Sequence, residues 1–331
     1  MKKGYIPQLE ALRGVAVSSV LAFHLGVFPP GWMGVPLFFV LSGYLITSGL
    51  LATRDKPEYF RNFFWKRSVR ILPLYYSYLA VNYCLLIAMG KSLAGYGWYL
   101  AYLGNIAVGV GEGTGVGATG HLWSLAVEQQ FYLIWPVMVL LIRRVWIVAA
   151  IAFVAAPISR ELLLAYTNPY IAITSLPSCM DMLAAGAIVA CTKDRRVFAC
   201  MGLSGVALLA YCVVQINFAD LSRTAAWAPK AHLLYSAIAL LAGPLVASAH
   251  KLTYVKAAPL EWIGKISYSM YIWQLMVILV LERLNIGGAT FVLLGVVATT
   301  AISWASWRFI EQPFLKLKSW RPWERKLVSV R

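Results

Sequence analysis

The stretch Arg13-Gly14-Val15-Ala16-Val17-Ser18-Ser19-Val20-Leu21-Ala22-Phe23-His24 sets a cation at the start of an apolar run and an imidazole at its end. Nothing between the two is ionisable. Ionisable groups at membrane depth are costly, so by default they line a site or a pathway. The rise of a helix places Arg13 and His24 about 16 Å apart along the axis, roughly half the thickness of a bilayer core. The spacing predicts Arg13 at one water interface and His24 deep inside. That geometry suits a charged ligand held at the surface with its reactive end threaded inward.

Apolar stretches of similar length recur to the end of the chain, over 12–28, 35–52, 71–90, 122–142, 145–159, 174–192, 198–217, 232–249, 263–282 and 288–310. The 331 residues are 60% hydrophobic and only 13% charged, against about 25% charged residues in soluble domains. The expected fold class is therefore all-α: a polytopic transmembrane helical bundle of about ten spans. Lys2-Lys3 before an apolar run resembles a signal peptide, but Val27-Phe28-Pro29-Pro30-Gly31-Trp32 holds no small-residue cleavage site, so the first span is read as uncleaved.

One further apolar stretch, 97–110, is rich in Gly and Tyr and runs into a glycine-dense loop from Gly109 to Gly120. Positive charge decides how to treat it. If 97–110 does not cross and the N-terminus is cytoplasmic, every Lys and Arg except Lys91, Arg160, Arg223, Lys230 and Arg283 falls on or near the cytoplasmic side. A crossing there would flip every later basic loop outward. The expectation is a re-entrant or peripheral segment at 97–110 and both termini inside, in a bacterial inner (plasma) membrane. Residues 1–314 form one transmembrane domain, and 315–331 a basic cytoplasmic tail. The basic, aromatic segment 59–70 reads as an amphipathic helix lying on the cytoplasmic face.

The net charge of +16 thus marks sidedness rather than a nucleic-acid surface, and no nucleic-acid partner is expected. Cys84, Cys179, Cys191, Cys200 and Cys212 lie in or beside apolar segments, without metal-ligand spacing, and read as buried thiols; no metal is expected.

Several polar groups stand out against this background. His24 titrates near neutral pH and suits general-base work; otherwise it is a neutral histidine bonded to a neighbouring helix. His121, Ser124 and Glu128 are spaced to share one helical face. Glu128 is a candidate to orient an imidazole, as a carboxylate does in hydrolytic triads, or else a helix–helix contact. Lys66, Arg67 and Arg70 with Arg13 would clamp phosphates, or mark topology and lipid headgroups only. Asp181 is a lone acid inside a span, open to work as a base, to a basic partner or to proton transfer. Ser267 and Tyr271, and Tyr132 on the Glu128 segment, offer hydroxyls to a polar ligand. Glu311 is expected to pair with Arg308 or a cation from another loop.

Five blocks, in order, resemble the acyltransferase 3 family of integral membrane acyltransferases. Ile6-Pro7-Gln8-Leu9-Glu10-Ala11-Leu12-Arg13-Gly14 with His24 looks like its basic-residue-x10-His element. Phe38-Phe39-Val40-Leu41-Ser42-Gly43-Tyr44-Leu45-Ile46 looks like its second-span signature, and Lys66 to Tyr75 like its cytoplasmic basic motif. Trp123-Ser124-Leu125-Ala126-Val127-Glu128 and Ile310-Glu311-Gln312-Pro313-Phe314 also fit. The chain departs from the family at Pro36, where Asp is frequent nearby, at Gln129, where a second Glu is usual, and at Gln274, where His is common.

The resemblance implies O-acyl transfer, usually of acetyl from cytoplasmic acetyl-CoA, to a hydroxyl of a glycan, a glycolipid or another acceptor. It implies coenzyme phosphates on Arg13, Arg67 and Arg70 and His24 as base. Read together with the residues themselves, Lys66 joins the phosphate set, Glu128 is a candidate to orient His24, and His121, Ser124, Tyr132, Asp181, Ser267 and Tyr271 are candidate substrate contacts. The alternatives from the residues alone are a proton-coupled transporter or exporter of a polar substrate and a structural subunit of a glycan-assembly complex. The oligomeric state is not specified by the sequence.

Overall fold

The computed structural model describes residues 6–111, 117–215, 232–249 and 258–320. Every element among them is helical, as hydropathy and periodicity require. The first half comprises α1 (Pro7–His24), α2 (Gly34–Leu51), α3 (Tyr59–Ala88), α4 (Tyr96–Leu100), α5 (Gly104–Gly109), α6 (Trp123–Leu141) and α7 (Val145–Tyr166). The second half comprises α8 (Pro169–Thr174), α9 (Leu176–Cys191), α10 (Arg195–Gln215), α11 (His232–Ala249), α12 (Ala258–Lys265), α13 (Ser267–Arg283), α14 (Gly288–Ser306) and α15 (Gln312–Lys316).

Among the described residues eight helices are long and apolar enough to cross a membrane, or nine when α12 and α13, bent by 73°, count as one span. The shortfall from ten is α1, whose 18 residues include Glu10 and Arg13 and fail on hydropathy rather than length. Helices α4 and α5 have five and six residues and cannot span, as expected for 97–110. Outward-facing Ile151, Val154, Leu203 and Leu293 give the bundle the apolar exterior of a protein solvated by lipid.

Several boundaries differ from the sequence reading. The first span stops at His24, where Gly26 takes a positive φ of 76° and turns the chain. His24 is therefore the last residue of α1, four residues before the expected end of the span. The basic segment 59–70 is not a separate surface helix. It is continuous with the following span in the 30-residue α3, about 45 Å long, so its first turns project beyond the apolar layer. The helix runs unbroken through Arg70 and Ile71, and Pro73 is absorbed within it. Arg160 is not in an outer loop: α7 runs on to Tyr166, and Arg160 is 1% exposed. Cys84 and Cys200 are exposed on helix surfaces, not buried. The tail expected from 315 begins as helix in α15 and a turn over Leu317–Ser319, held by Trp65 Nε1 donating to the Leu317 carbonyl at 3.0 Å. Residues 321–331 of that tail lie outside the described residues.

Helices α2 and α9 cross at the centre, and small residues permit it. A Cβ on Gly43 would overlap the Leu183 carbonyl oxygen, and one on Gly186 would overlap the Val40 carbonyl. Close backbone approach through small residues is the usual basis of helix association in lipid. We expect Gly186→Ala to destabilise the protein by about 1–3 kcal/mol through overpacking. An unchanged thermal unfolding temperature in detergent would refute that reading of the crossing.

Candidate functional site

Two cavities adjoin inside the bundle. The first, about 110 Å³, receives Arg13 from α1, Arg67 and Arg70 from α3, and Glu128 from α6. Arg67 and Arg70 are three residues apart and so share a face of α3. Ser124, Glu128 and Tyr132 recur every four residues on α6 and line the same cavity. Tyr132 donates to Glu128 Oε2 at 3.3 Å, which leaves Ser42 Oγ to donate to the Tyr132 oxygen at 3.1 Å. The Arg67 guanidinium lies 5.5 Å from the Tyr132 ring centre and 5.9 Å from that of Phe63. Arg13 Nη1 stands 3.4 Å from Glu10 Oε2. Ser267 Oγ is buried on this cavity's wall without a hydrogen bond.

The second cavity, about 310 Å³, is walled by aromatic side chains, among them Trp32, Trp123 and Tyr170, and contains His24 and His121. His121 is 4% exposed. Its Nε2 lies 3.0 Å from the Ile272 carbonyl. A carbonyl only accepts, so Nε2 carries the hydrogen in this contact, and the Ala118 carbonyl lies close to the same ring. Nδ1 of His121 and Nδ1 of His24 are both buried without a partner. Val35, Phe39 and Tyr271 line both cavities, so only the thickness of those side chains separates them. The Tyr271 hydroxyl donates to the His121 carbonyl at 3.0 Å and meets Ser124 Oγ at 2.6 Å.

The structure thus gathers Arg13, Arg67, Arg70, Glu128, Ser124, Tyr132 and Ser267 around one cavity, His24 and His121 around the other, and Tyr271 between them. It separates residues that the spacing had put on one helical face. His121 precedes α6, in a tight turn over Gly117–Leu122, and points away from Ser124 and Glu128. Glu128 takes its hydrogen bond from Tyr132 in the arginine cavity, where it does not orient the imidazole of His24 or His121. Lys66 is exposed and lines neither cavity.

Asp181 lines neither cavity. It is fully buried in an ion pair with Arg160 and accepts from Ser236 Oγ at 2.6 Å. Arg160 Nε donates to the Ser178 carbonyl at 2.8 Å, and a second nitrogen donates to the His232 carbonyl. Of the options open to Asp181, a basic partner is the one realised. Glu311 is not bonded to Arg308, which donates to Gln312 Oε1 at 2.9 Å. It accepts from Ser269 and lies within electrostatic range of Arg70 and Arg13. The sequence reading missed the aromatic walls Trp32, Trp123, Tyr170 and Tyr235 as site residues, because they come from unconnected elements. Ser42, a hydroxyl within an apolar span, carried a detectable signal.

A family model described as an acyltransferase domain matches residues 6–308. The peptidoglycan O-acetyltransferase OatA of Listeria monocytogenes is 28% identical over 94% of this chain and 56% of its own length. The O-acetyltransferase OatA of Staphylococcus aureus is 26% identical over 94% of this chain and 57% of its own. The chain spans somewhat more than half the length of these relatives. No solved structure matches it.

Proposed function

The chain belongs to the acyltransferase 3 family, and on that premise we propose that it is a multi-pass bacterial membrane enzyme that moves an acetyl group from cytoplasmic acetyl-CoA to a hydroxyl of a glycan or glycolipid. One observation carries the reading: a cavity with three guanidinium groups abuts a second that contains two imidazoles, His24 and His121. A phosphorylated carrier with a neutral, reactive end fits that division of charge. The named relatives are bacterial O-acetyltransferases, one of them acting on peptidoglycan. The family match favours this reading over an exporter.

Arg13, Arg67 and Arg70 hold the coenzyme phosphates, and the free Ser267 hydroxyl adds a donor. Glu128 keeps this cavity from being purely cationic and, through Tyr132, fixes the ring against which Arg67 lies. His24 takes the proton of the acceptor hydroxyl. That oxygen bonds to the thioester carbonyl carbon, the carbon–sulfur bond breaks, and the thiolate leaves and takes up a proton. Tyr271 at the partition, with Ser124 beside it on the arginine side, stands where the carbonyl oxygen gains charge.

The cytoplasmic placement of both termini rests on the clustering of basic loops at one end. Arg54 donates to the carbonyls of Leu140 and Arg143, which brings the 52–58 and 142–144 loops together. Residues 1–314 are read as one acyltransferase 3-like domain and 315–331 as its basic extension.

Mass spectrometry of surface glycans and lipids from deletion and complemented strains tests the function. The expected difference is one acetyl group on a single acceptor class, with consumption of acetyl-CoA by the purified protein. Identical spectra, together with no thioester consumption, would sink the proposal. Arg67→Ala and Arg70→Ala should each raise the KM for acetyl-CoA roughly tenfold or more, because a hydrogen bond to a charged group contributes about 1.5–3 kcal/mol. Lys66→Ala should leave it unchanged. Steady-state kinetics with acetyl-CoA as the varied substrate checks both.

A further inference from the structure

Glu128 is engaged in the arginine cavity, and among the described residues no acid lines the cavity that holds His24. A histidine base still needs its tautomer fixed. A hydrogen on the nitrogen that faces the substrate makes that nitrogen a donor, and the bond made by the other nitrogen decides which one carries it. The structure offers a neutral group for this. The Gln274 side chain on α13 is fully buried, lines neither cavity and comes within hydrogen-bonding range of the His24 ring. It meets the imidazole from behind the cavity wall.

The amide is itself held in one sense. Its Nε2 donates to the Tyr271 carbonyl at 3.1 Å. A carbonyl only accepts, so the remaining amide atom is the oxygen, and Gln274 has an acceptor to spare. That Oε1 is buried and makes no hydrogen bond elsewhere, and the same holds for Nδ1 of His24. Each atom alone carries a desolvation penalty, and an Nδ1–H set against Oε1 removes both. Leu25, the residue after His24, packs on Gly295 of α14, where a Cβ would overlap its side chain. The end of α1 is thereby pinned where the two side chains meet.

We propose that Gln274 is the positioning residue of His24: its amide oxygen accepts from Nδ1–H, which leaves the Nε2 lone pair to the cavity and the acceptor hydroxyl. The chemical consequence rests on the acyltransferase reading. The hydroxyl proton passes to Nε2 as the oxygen–carbon bond forms, and the imidazolium keeps its Nδ1–H on Gln274. When the carbon–sulfur bond breaks, the thiolate takes that proton from Nε2, and the ring returns to the same tautomer. A neutral amide does this without burying a second ionised group.

Two substitutions separate this role from packing. Gln274→Met keeps the length of the side chain and removes the acceptor. Gln274→Glu keeps an oxygen that accepts in either protonation state. Each is expressed in a deletion strain at matched protein level, and the rate at which acetyl ester forms on surface glycans and lipids after induction is followed by mass spectrometry. Binding of radiolabelled acetyl-CoA is measured on the purified proteins. In Gln274→Met the rate should fall about tenfold or more, a part of the roughly 10²- to 10⁴-fold that a positioned base contributes, while acetyl-CoA binding stays within about twofold of the parent. Gln274→Glu should recover most of that loss. Nitrogen-15 magnetic resonance of ring-labelled histidine reads the tautomer directly, with the His24 signals identified by their loss in His24→Ala. The neutral ring should carry its hydrogen on Nδ1 in the parent and on Nε2 in Gln274→Met.

A hydrogen on Nε2 in the parent would overturn the proposal whatever the variants do. So would an undiminished rate in Gln274→Met, loss of acetyl-CoA binding along with the rate, or a Glu variant as slow as the Met variant. A parent that forms no ester and binds no acetyl-CoA would remove the acyltransferase reading itself. The tautomer of His24 would even then decide the bond to Gln274.

Discussion

His24→Ala should lower acyl transfer by about 10²- to 10⁴-fold, the range over which a positioned general base contributes. The substitution should leave the protein folded. His24 is the last residue of α1 and only partly buried, and its Nδ1 makes no hydrogen bond that holds another element. Donor binding should persist as well, because Arg13, Arg67 and Arg70 line the neighbouring cavity. The combination distinguishes a chemical role from a packing role: acetyl-CoA is still bound by the purified variant, yet acetyl ester is no longer formed in the membrane. Transfer within tenfold of the parent, at matched protein levels, would mean that another group takes the proton.

The largest effect on stability is expected at a site that takes no part in the chemistry. Asp181→Ala leaves the Arg160 guanidinium buried, 1% exposed, without its carboxylate. Breaking a buried pair by removing one partner is destabilising by about 3–5 kcal/mol, because the remaining charge is uncompensated. The surviving bonds of Arg160, to the carbonyls of Ser178 and His232, satisfy its geometry but not its charge. Replacing both partners, Arg160→Met with Asp181→Leu, should recover most of the loss. Thermal unfolding in detergent reads both variants. A single variant as stable as the parent would show that the pair is already solvated.

The depth of Arg13 and His24 shows how far a single helix can be read. Their separation along α1 follows from helix rise alone, and the structure places them in two different cavities, as that distance requires. That α1 stops at His24 did not follow, because the stop is made by a turn at Gly26 that packs Pro29–Met33 back on the helix. The grouping of Arg67 and Arg70 was legible because both lie on one helix three residues apart. Whether Lys66 joined them was not, since an exposed and a cavity-lining position differ by one residue of rotation.

The sequence by itself determined an all-helical, lipid-solvated bundle, the inability of 97–110 to cross, and the division between a cationic end and an imidazole. All of these follow from local quantities: the length of apolar runs, the pitch of a helix and the placement of charge between spans. The tertiary structure alone decided that Asp181 answers Arg160, that Glu128 belongs with Tyr132, and that His121 faces His24 while Ser124 faces the arginines. It also brought the aromatic walls together from α6, α8, α11, α13 and the turn after α1. Those relations join residues far apart in the chain. They are set by how helices pack and where α12 bends into α13, neither of which leaves a period in the sequence.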